Sequence, residues 1–183
     1  MISVNNITLQ YGKRVLFDNV NLKFEGEKSS LKIGDRTTVR EFCTLHRGTK
    51  DKEITKIGSD CLLMSYSHVA HDVVIGDNVI VSISVNIAGH AEVDDYAIIG
   101  GCTPIHQFCK VGKHAFIGGG RLILQDVPPY ILATGEPLKY AGINSVGLRR
   151  RKFSASARSQ IKKAYSLIYQ SGLNLSQAID KIK

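Results

Sequence analysis

The side chains in this sequence with the means to do chemistry are histidines: His68, His71, His90 and His106. His71 is followed by Asp72, so a general base there would have a carboxylate at hand to orient or charge-stabilise it. Such a base can activate a substrate hydroxyl without an enzyme nucleophile, a metal or a cofactor. No serine sits in a nucleophile elbow, so a Ser-His-Asp system is not indicated. Cys102, His106 and Cys109 have zinc-ligand residue types, but the repeat described next points Cys109 inward, and no metal is expected. Direct group transfer with no cofactor is the chemistry these residues suggest.

The element that must position them is a repeat of period six. Aliphatic residues return at Ile33, Val39, Leu45, Ile57, Leu63, Val69, Ile75, Val81, Ile87, Val93, Ile99, Ile105, Val111, Ile117 and Ile123, and Asp51 alone breaks the series. Four residues after each stands a small or β-branched residue, Arg121 excepted. That period fits neither a helix nor simple strand alternation and predicts a solenoid of triangular coils, eighteen residues to the circuit. Coils stack about 4.8 Å apart, giving a little over five of them. Positions eighteen apart share a column, which sets His71 beneath Gly89-His90 and these beneath His106-Gln107. Cys43 and Cys61 are expected in one interior column on the same rule.

Composition narrows the class. The chain has 183 residues, net charge +8 and four cysteines. It shows no apolar run of membrane-spanning length and no signal-peptide pattern, so a cytoplasmic protein without integral membrane contact is expected. No secreted disulfide framework is indicated. Between Ala141 and Ile179 there is no acid, while Arg149, Arg150, Arg151, Lys152, Arg158, Lys162 and Lys163 supply seven positive charges. Such a block wants an anionic partner. No nucleic-acid-binding motif accompanies it, so nucleic acid is not the expected one.

Three parts follow. Residues 1–24 keep no hexad register and read as a leader hairpin turning at Gly12-Lys13. They resemble the opening of an ABC-type ATPase domain, with Tyr11 at the adenine-stacking place. No phosphate-cradling Gly-x4-Gly-Lys-Ser/Thr loop follows, so ATP binding is discounted and the leader is foreign or divergent. Residues 25–128 form the solenoid, with a charged loop thrown out around Asp51 and an end at Pro128-Pro129. Residues 129–183 comprise an extended excursion to Gly147, a helix capped by Ser154 and closed by Gly172, and a second helix starting near Ser176. The fold class is mainly β with a short C-terminal α-helical part.

From about Leu22 onward the chain resembles the bacterial acyl-[acyl-carrier-protein]:UDP-N-acetylglucosamine O-acyltransferases, which open lipid A biosynthesis. The segments carrying the resemblance include Thr44-Leu45-His46-Arg47-Gly48-Thr49, His68-Val69-Ala70-His71-Asp72, Ala88-Gly89-His90, His106-Gln107-Phe108, Gln125-Asp126-Val127-Pro128-Pro129-Tyr130 and Gly147-Leu148-Arg149-Arg150-Arg151. The resemblance implies a homotrimer of left-handed parallel β-helices with clefts between subunits. His71 matches the family's catalytic base and Asp72 its supporting acid. His68, His90, His106 and Gln107 match contacts to the sugar and phosphates, and Asn144, Arg150 and Arg151 lie toward the nucleotide. Gly119 falls where acyl length is set, and glycine there leaves room for a long chain. The basic block would meet acyl carrier protein and the diphosphate.

This sequence departs from the pattern at its start. The family's first coils are replaced by the leader; Leu22-Lys23-Phe24 stands for its Leu-Lys-Tyr, making Lys23 the candidate substrate lysine, and Asn21 stands where an aspartate is usual. The final helical residues are also missing, and an end coil without its neighbour would expose a sheet edge unless the hairpin covers it. Two other functions fit the same residues: transfer to another nucleotide sugar or an amine, and a catalytically poor structural trimer.

Overall fold

A computed structural model describes residues 2–11, 14–24 and 29–182, the first two stretches as backbone alone. β1 (Ile2–Tyr11) and β2 (Arg14–Phe24) pair antiparallel as a hairpin. The expected Gly12-Lys13 turn lies outside the described residues, as do the side chains of Tyr11, Asn21 and Lys23.

The hexads close into a left-handed parallel β-helix with three sheets as its walls. The first coil is β3 (Ser30–Ile33), β4 (Thr38–Val39) and β5 (Thr44–Leu45), and the second is β6 (Ile54–Ile57), β7 (Leu62–Leu63) and β8 (His68–Val69). Next come β9 (Val74–Ile75), β10 (Ile80–Val81) and β11 (Asn86–Ile87), then β12 (Glu92–Val93), β13 (Ile98–Ile99) and β14 (Pro104–Ile105). The fifth coil has β15 (Lys110–Val111), β16 (Phe116–Ile117) and a bridge from Ile123 to Ile105. In each strand from β6 to β16 the last residue points in and is buried, so Ile57, Ile75, Val93 and Val111 stack in one column. Truncating one such side chain, as in Leu63→Ala, removes about 2–5 kcal/mol.

Three residues past most aliphatic positions, though not at Gly48 or Asp126, the backbone turns a corner in the left-handed region, as at Asp72 (φ 61°), Asn78 (φ 58°) and Tyr96 (φ 61°). That conformation costs an ordinary residue about 1–2 kcal/mol. Corner-to-corner hydrogen bonds offset it, among them Asn78 N to Ser59 O and Tyr96 N to Asp77 O, both 2.9 Å.

The column rule changes at one place. First- and second-coil partners are Ser30 with Ile54, Thr38 with Leu62 and Thr44 with His68, a spacing of 24. The hexad holding Asp51 adds no strand and bulges out between β5 and β6. Cys43 and Cys61 therefore do not share a column: Cys43 Sγ lies 3.2 Å from Ser67 Oγ, whereas Cys61 N donates to Thr37 Oγ1 at 3.1 Å. All four thiols are free. The first coil is also less covered, with Ile33 39% exposed where Ile57 is 1% exposed.

The parallel ladder continues past Pro128-Pro129, one strand further than expected. Val127 bridges to Val111, Tyr130 N donates to Lys113 O, and β17 (Ile131–Thr134) runs parallel to β16. The prolines occupy the connection, where no ladder donor is needed. β18 (Lys139–Ile143) returns antiparallel, so the expected extended excursion is a hairpin added to the wall. It leads into α1 (Ser145–Arg150), α2 (Ala155–Gln170), whose Ser154 cap accepts from Ala157 N, and α3 (Leu175–Ile182), whose Asn174 Oδ1 accepts from Gln177 N. Gly172 has φ 72°, the left-handed conformation that lets the chain leave α2. Among the described residues no helix is long and apolar enough to cross a membrane.

Candidate active site

His71 and Asp72 form the corner between β8 and β9. Asp72 is fully buried, and its main-chain N–H donates to Thr55 Oγ1 at 2.8 Å. Its carboxylate accepts three hydrogen bonds: Thr49 N at 2.8 Å on Oδ1, and Thr49 Oγ1 at 2.5 Å and His71 Nδ1 at 2.9 Å on Oδ2. Burial alone would push this carboxyl up, but the donors from Thr49 and His71 outweigh it and hold the group below its ordinary value. An ionised carboxylate only accepts, so Nδ1 of His71 carries a proton, and in the neutral ring the lone pair is on Nε2. The His71 side chain is 42% exposed, so that lone pair serves a ring reachable from outside.

The ring has room because the next coil has no side chain opposite it. A Cβ on Gly89 would come within 2.7 Å of His71 Cε1 and 2.9 Å of Nε2. One residue on, His90 meets His71 edge to face at 5.2 Å, with its Nε2 3.8 Å from Asp72 Oδ2. Its Nδ1 makes no hydrogen bond among the described residues, and Asp51 Oδ2 comes no nearer than 3.5 Å. On the far side His90 stacks on Phe108 at 4.7 Å. The column above Asp72 is thus His90 then Phe108. His106 stands two positions earlier, exposed, with Nδ1 3.1 Å from the carbonyl of Gln107.

His68 faces a different pair. Its Nδ1 lies 2.7 Å from Thr44 Oγ1, its ring meets His46 edge to face at 4.7 Å, and burial, helped by His46, lowers its pKa. The sequence reading did not single out Thr44, Thr49 or Thr55 as partners of the histidine site. Thr49 and Thr55 were both visible as small residues of the register four past the aliphatic one, but Thr49 also belongs to the charged loop around Asp51, and the eighteen-residue column rule does not bring it to Asp72.

Gly119 is exposed, and a Cβ there would lie 3.0 Å from Gly101 O. Asn144 is buried, with both polar atoms committed: Oδ1 caps α1 through Gly147 N and Nδ2 donates to His114 O at 2.9 Å. Of the two arginines that follow, Arg150 is exposed, and Arg151 lies over the Tyr96 ring at 4.9 Å, its pKa lowered by burial. Lys23 belongs to β2, outside the described side chains.

His71, Asp72 and His90 are one grouping whose donor atoms converge, all within 4.8 Å of one another. The carboxylate oxygens are already occupied by Thr49 and His71, and the short 2.9 Å His71–Asp72 contact is that of a hydrogen-bonded pair. The arrangement is therefore a part-exposed imidazole backed by a buried, ionised carboxylate.

With this geometry in hand, relatives carry the assignment further. Residues 126–183 match the family model described as UDP N-acetylglucosamine O-acyltransferase, domain 2, and residues 54–82 match the bacterial transferase hexapeptide model. The chain is 46% identical over 161 residues to the acyl-[acyl-carrier-protein]–UDP-N-acetylglucosamine O-acyltransferase of Thiobacillus denitrificans, covering 87% of this chain and 62% of that one. The chain belongs to this acyltransferase family. Among solved members, LpxA from Bacteroides fragilis superposes with a TM-score of 0.84 at 49% identity, over 88% of this chain and 63% of that one. LpxA from Acinetobacter baumannii gives 0.81 at 43% identity, over 99% of this chain and 66% of that one. The chain spans about three-fifths of the length of the curated relatives it matches.

Proposed function

We propose that the protein transfers a 3-hydroxyacyl chain from acyl carrier protein to the 3-hydroxyl of UDP-N-acetylglucosamine, the first step of lipid A biosynthesis. The observation that carries this reading is the His71–Asp72 pair, with Nε2 free to accept a proton and Nδ1–H held by a buried carboxylate. His71 Nε2 takes the proton from the sugar hydroxyl as its oxygen attacks the thioester carbonyl. The C–S bond then breaks, and the imidazolium returns the proton to the departing thiolate, so the products are the ester and the carrier thiol. Asp72 stabilises the imidazolium between these events. Arg150 and Arg151, near the end of α1, meet the phosphates in this reading, and the exposed Arg149, Lys162 and Lys163 offer a positive face to an acidic carrier protein. His68, His90, His106 and Gln107 line the sugar side, and Gly119 leaves space for a long acyl chain. The functional unit in this reading is a cytoplasmic homotrimer with the site at the subunit boundary, and Lys23 is the substrate lysine that the family resemblance implies.

The test is acylation of UDP-N-acetylglucosamine by acyl carrier protein thioester, comparing the parent protein with His71→Ala at matched oligomeric state. Product from the parent and a loss of about 10²–10⁴-fold in the variant supports the assignment. Turnover that persists in His71→Ala rejects His71 as base, and a folded parent that acylates a 3-amino sugar in preference to the hydroxyl redirects the substrate class.

A further inference from the structure

We infer that Thr49, carried on the loop that interrupts the hexad repeat, is a positioning residue for the His71–Asp72 pair. The inference rests on the acyl-transfer reading above for its kinetic consequence, but not for its structural one. Among the described residues Thr49 binds both carboxylate oxygens: its N–H donates to Oδ1 and its hydroxyl to Oδ2. Two donors on one residue fix the carboxylate's plane as well as its position. The shared oxygen Oδ2 is the one that accepts from His71 Nδ1, so the Thr49 hydroxyl and the imidazole compete for the same charge. The loop is itself anchored, since Gly48 N donates to Ser30 O at 3.0 Å and Glu53 N to Thr49 O at 2.8 Å. A Cβ on Gly48 would fall 2.2 Å from Ile54 N, so the loop can leave the coil only where glycine lets it. The insertion that spoils the period therefore delivers the clamp that the regular coils do not supply.

Three groups face the carboxylate besides Thr49: His71, His90 with Nε2 at 3.8 Å and, beyond His90, Asp51. Removing the Thr49 hydroxyl leaves more of the Asp72 charge for His71, which makes the imidazole a stronger base and leaves its orientation looser. Thr49→Val keeps the side-chain shape and the main-chain donor; Thr49→Ser keeps the hydroxyl. Thr49→Val is expected to lower kcat about tenfold with KM for the sugar nucleotide unchanged, and to move the acid limb of the kcat profile to higher pH. Thr49→Ser is expected to recover the parent's profile. Parent-like kcat and limb in Thr49→Val, or an effect on KM alone, would overturn the inference.

A second measurement separates failure of this inference from failure of the acyl-transfer reading, and also serves if Thr49→Val does not fold. In the unsubstituted protein without substrate, the Thr49 amide proton should shift with pH alongside the Asp72 carboxyl, below the ordinary carboxylate range. An amide indifferent to that titration means that the clamp is not formed in solution, whatever the enzyme transfers.

Discussion

At one corner of the prism Asp72, His90 and Phe108 follow one another up three coils, and at another Tyr96, His114 and Tyr130 do the same. All six have φ between 57° and 67°. Both columns thus put a histidine in the middle of an identical backbone ladder. His90 lies between Phe108 on one side and the His71–Asp72 pair on the other. His114 is sandwiched between Tyr96 at 4.8 Å and Tyr130 at 5.6 Å, with Phe153 against its edge. The first column holds a buried carboxylate and opens on an exposed imidazole, while the second is aromatic throughout and is covered by α1 and the residues after it. The solenoid supplies the slots; the residue placed one coil away decides whether a slot holds a carboxylate–imidazole pair or an aromatic stack under the helical part.

The sharpest way to break that comparison is to remove charge at the first corner. Asp72→Asn keeps size and hydrogen-bonding capacity, but its amide can donate to His71 Nδ1 and leave the proton on Nε2. A loss of kcat on the order of 10³–10⁴-fold with unchanged circular dichroism is expected. Tyr96→Phe at the second corner changes one hydroxyl in the aromatic stack and should leave kcat within about twofold. Comparable losses in the two variants would show that the columns are not functionally distinct.

A geometric change comes next. Gly89→Ala puts a methyl within 2.7 Å of His71 Cε1, and the ring must move to accommodate it. Displacement by about 1 Å at a reacting group costs on the order of 10²-fold in rate, so kcat should fall by about that factor. The change in denaturation midpoint should be small, because a side chain that is 42% exposed can swing outward. A parent-like rate in Gly89→Ala would mean that His71 works from a position other than the one against Gly89.

Much of this was legible in the sequence, because a period of six over so many residues admits few packings. The inward columns, the buried Cys109 and the His71–His90 contact all follow from counting. Counting failed where the repeat itself failed: the loop at Asp51 shifts coil one by six residues, separating Cys43 from Cys61 and bringing Thr49 to Asp72. It failed again beyond Pro128-Pro129, where Tyr130 rejoins the ladder through Lys113 O without keeping the hexad. Asn144 shows a third limit. Family resemblance directs it toward nucleotide, and only the fold shows both its polar atoms taken up in holding α1 on the prism.

That anchoring predicts an effect on stability rather than on rate. Asn144→Ala removes the cap of α1 and the bond to His114 O, together about 1–2 kcal/mol of unfolding free energy. Urea denaturation should show the loss, with kcat changed far less than in Asp72→Asn. A large kcat loss without destabilisation would instead place Asn144 in contact with substrate.

The smallest expected effect isolates the histidine of the aromatic column. Burial lowers the His114 pKa, and Arg151 and Lys113 push the same way against Asp95. Below the ordinary histidine value of about 6.5 the unfolded chain therefore binds a proton that the folded chain still refuses. Stability falls as pH drops through the window from that value down to the folded-state pKa, and stays reduced below it. His114→Phe retains a ring between Tyr96 and Tyr130 and removes the titration, so the variant's melting temperature should gain on the parent's between pH 7.5 and pH 5. His68, lowered for a similar reason, is present in both proteins and cancels in the difference. A constant gap across that range would mean that His114 takes up its proton within the stack as readily as in the unfolded chain, and the two columns would then differ in geometry but not in their hold on charge.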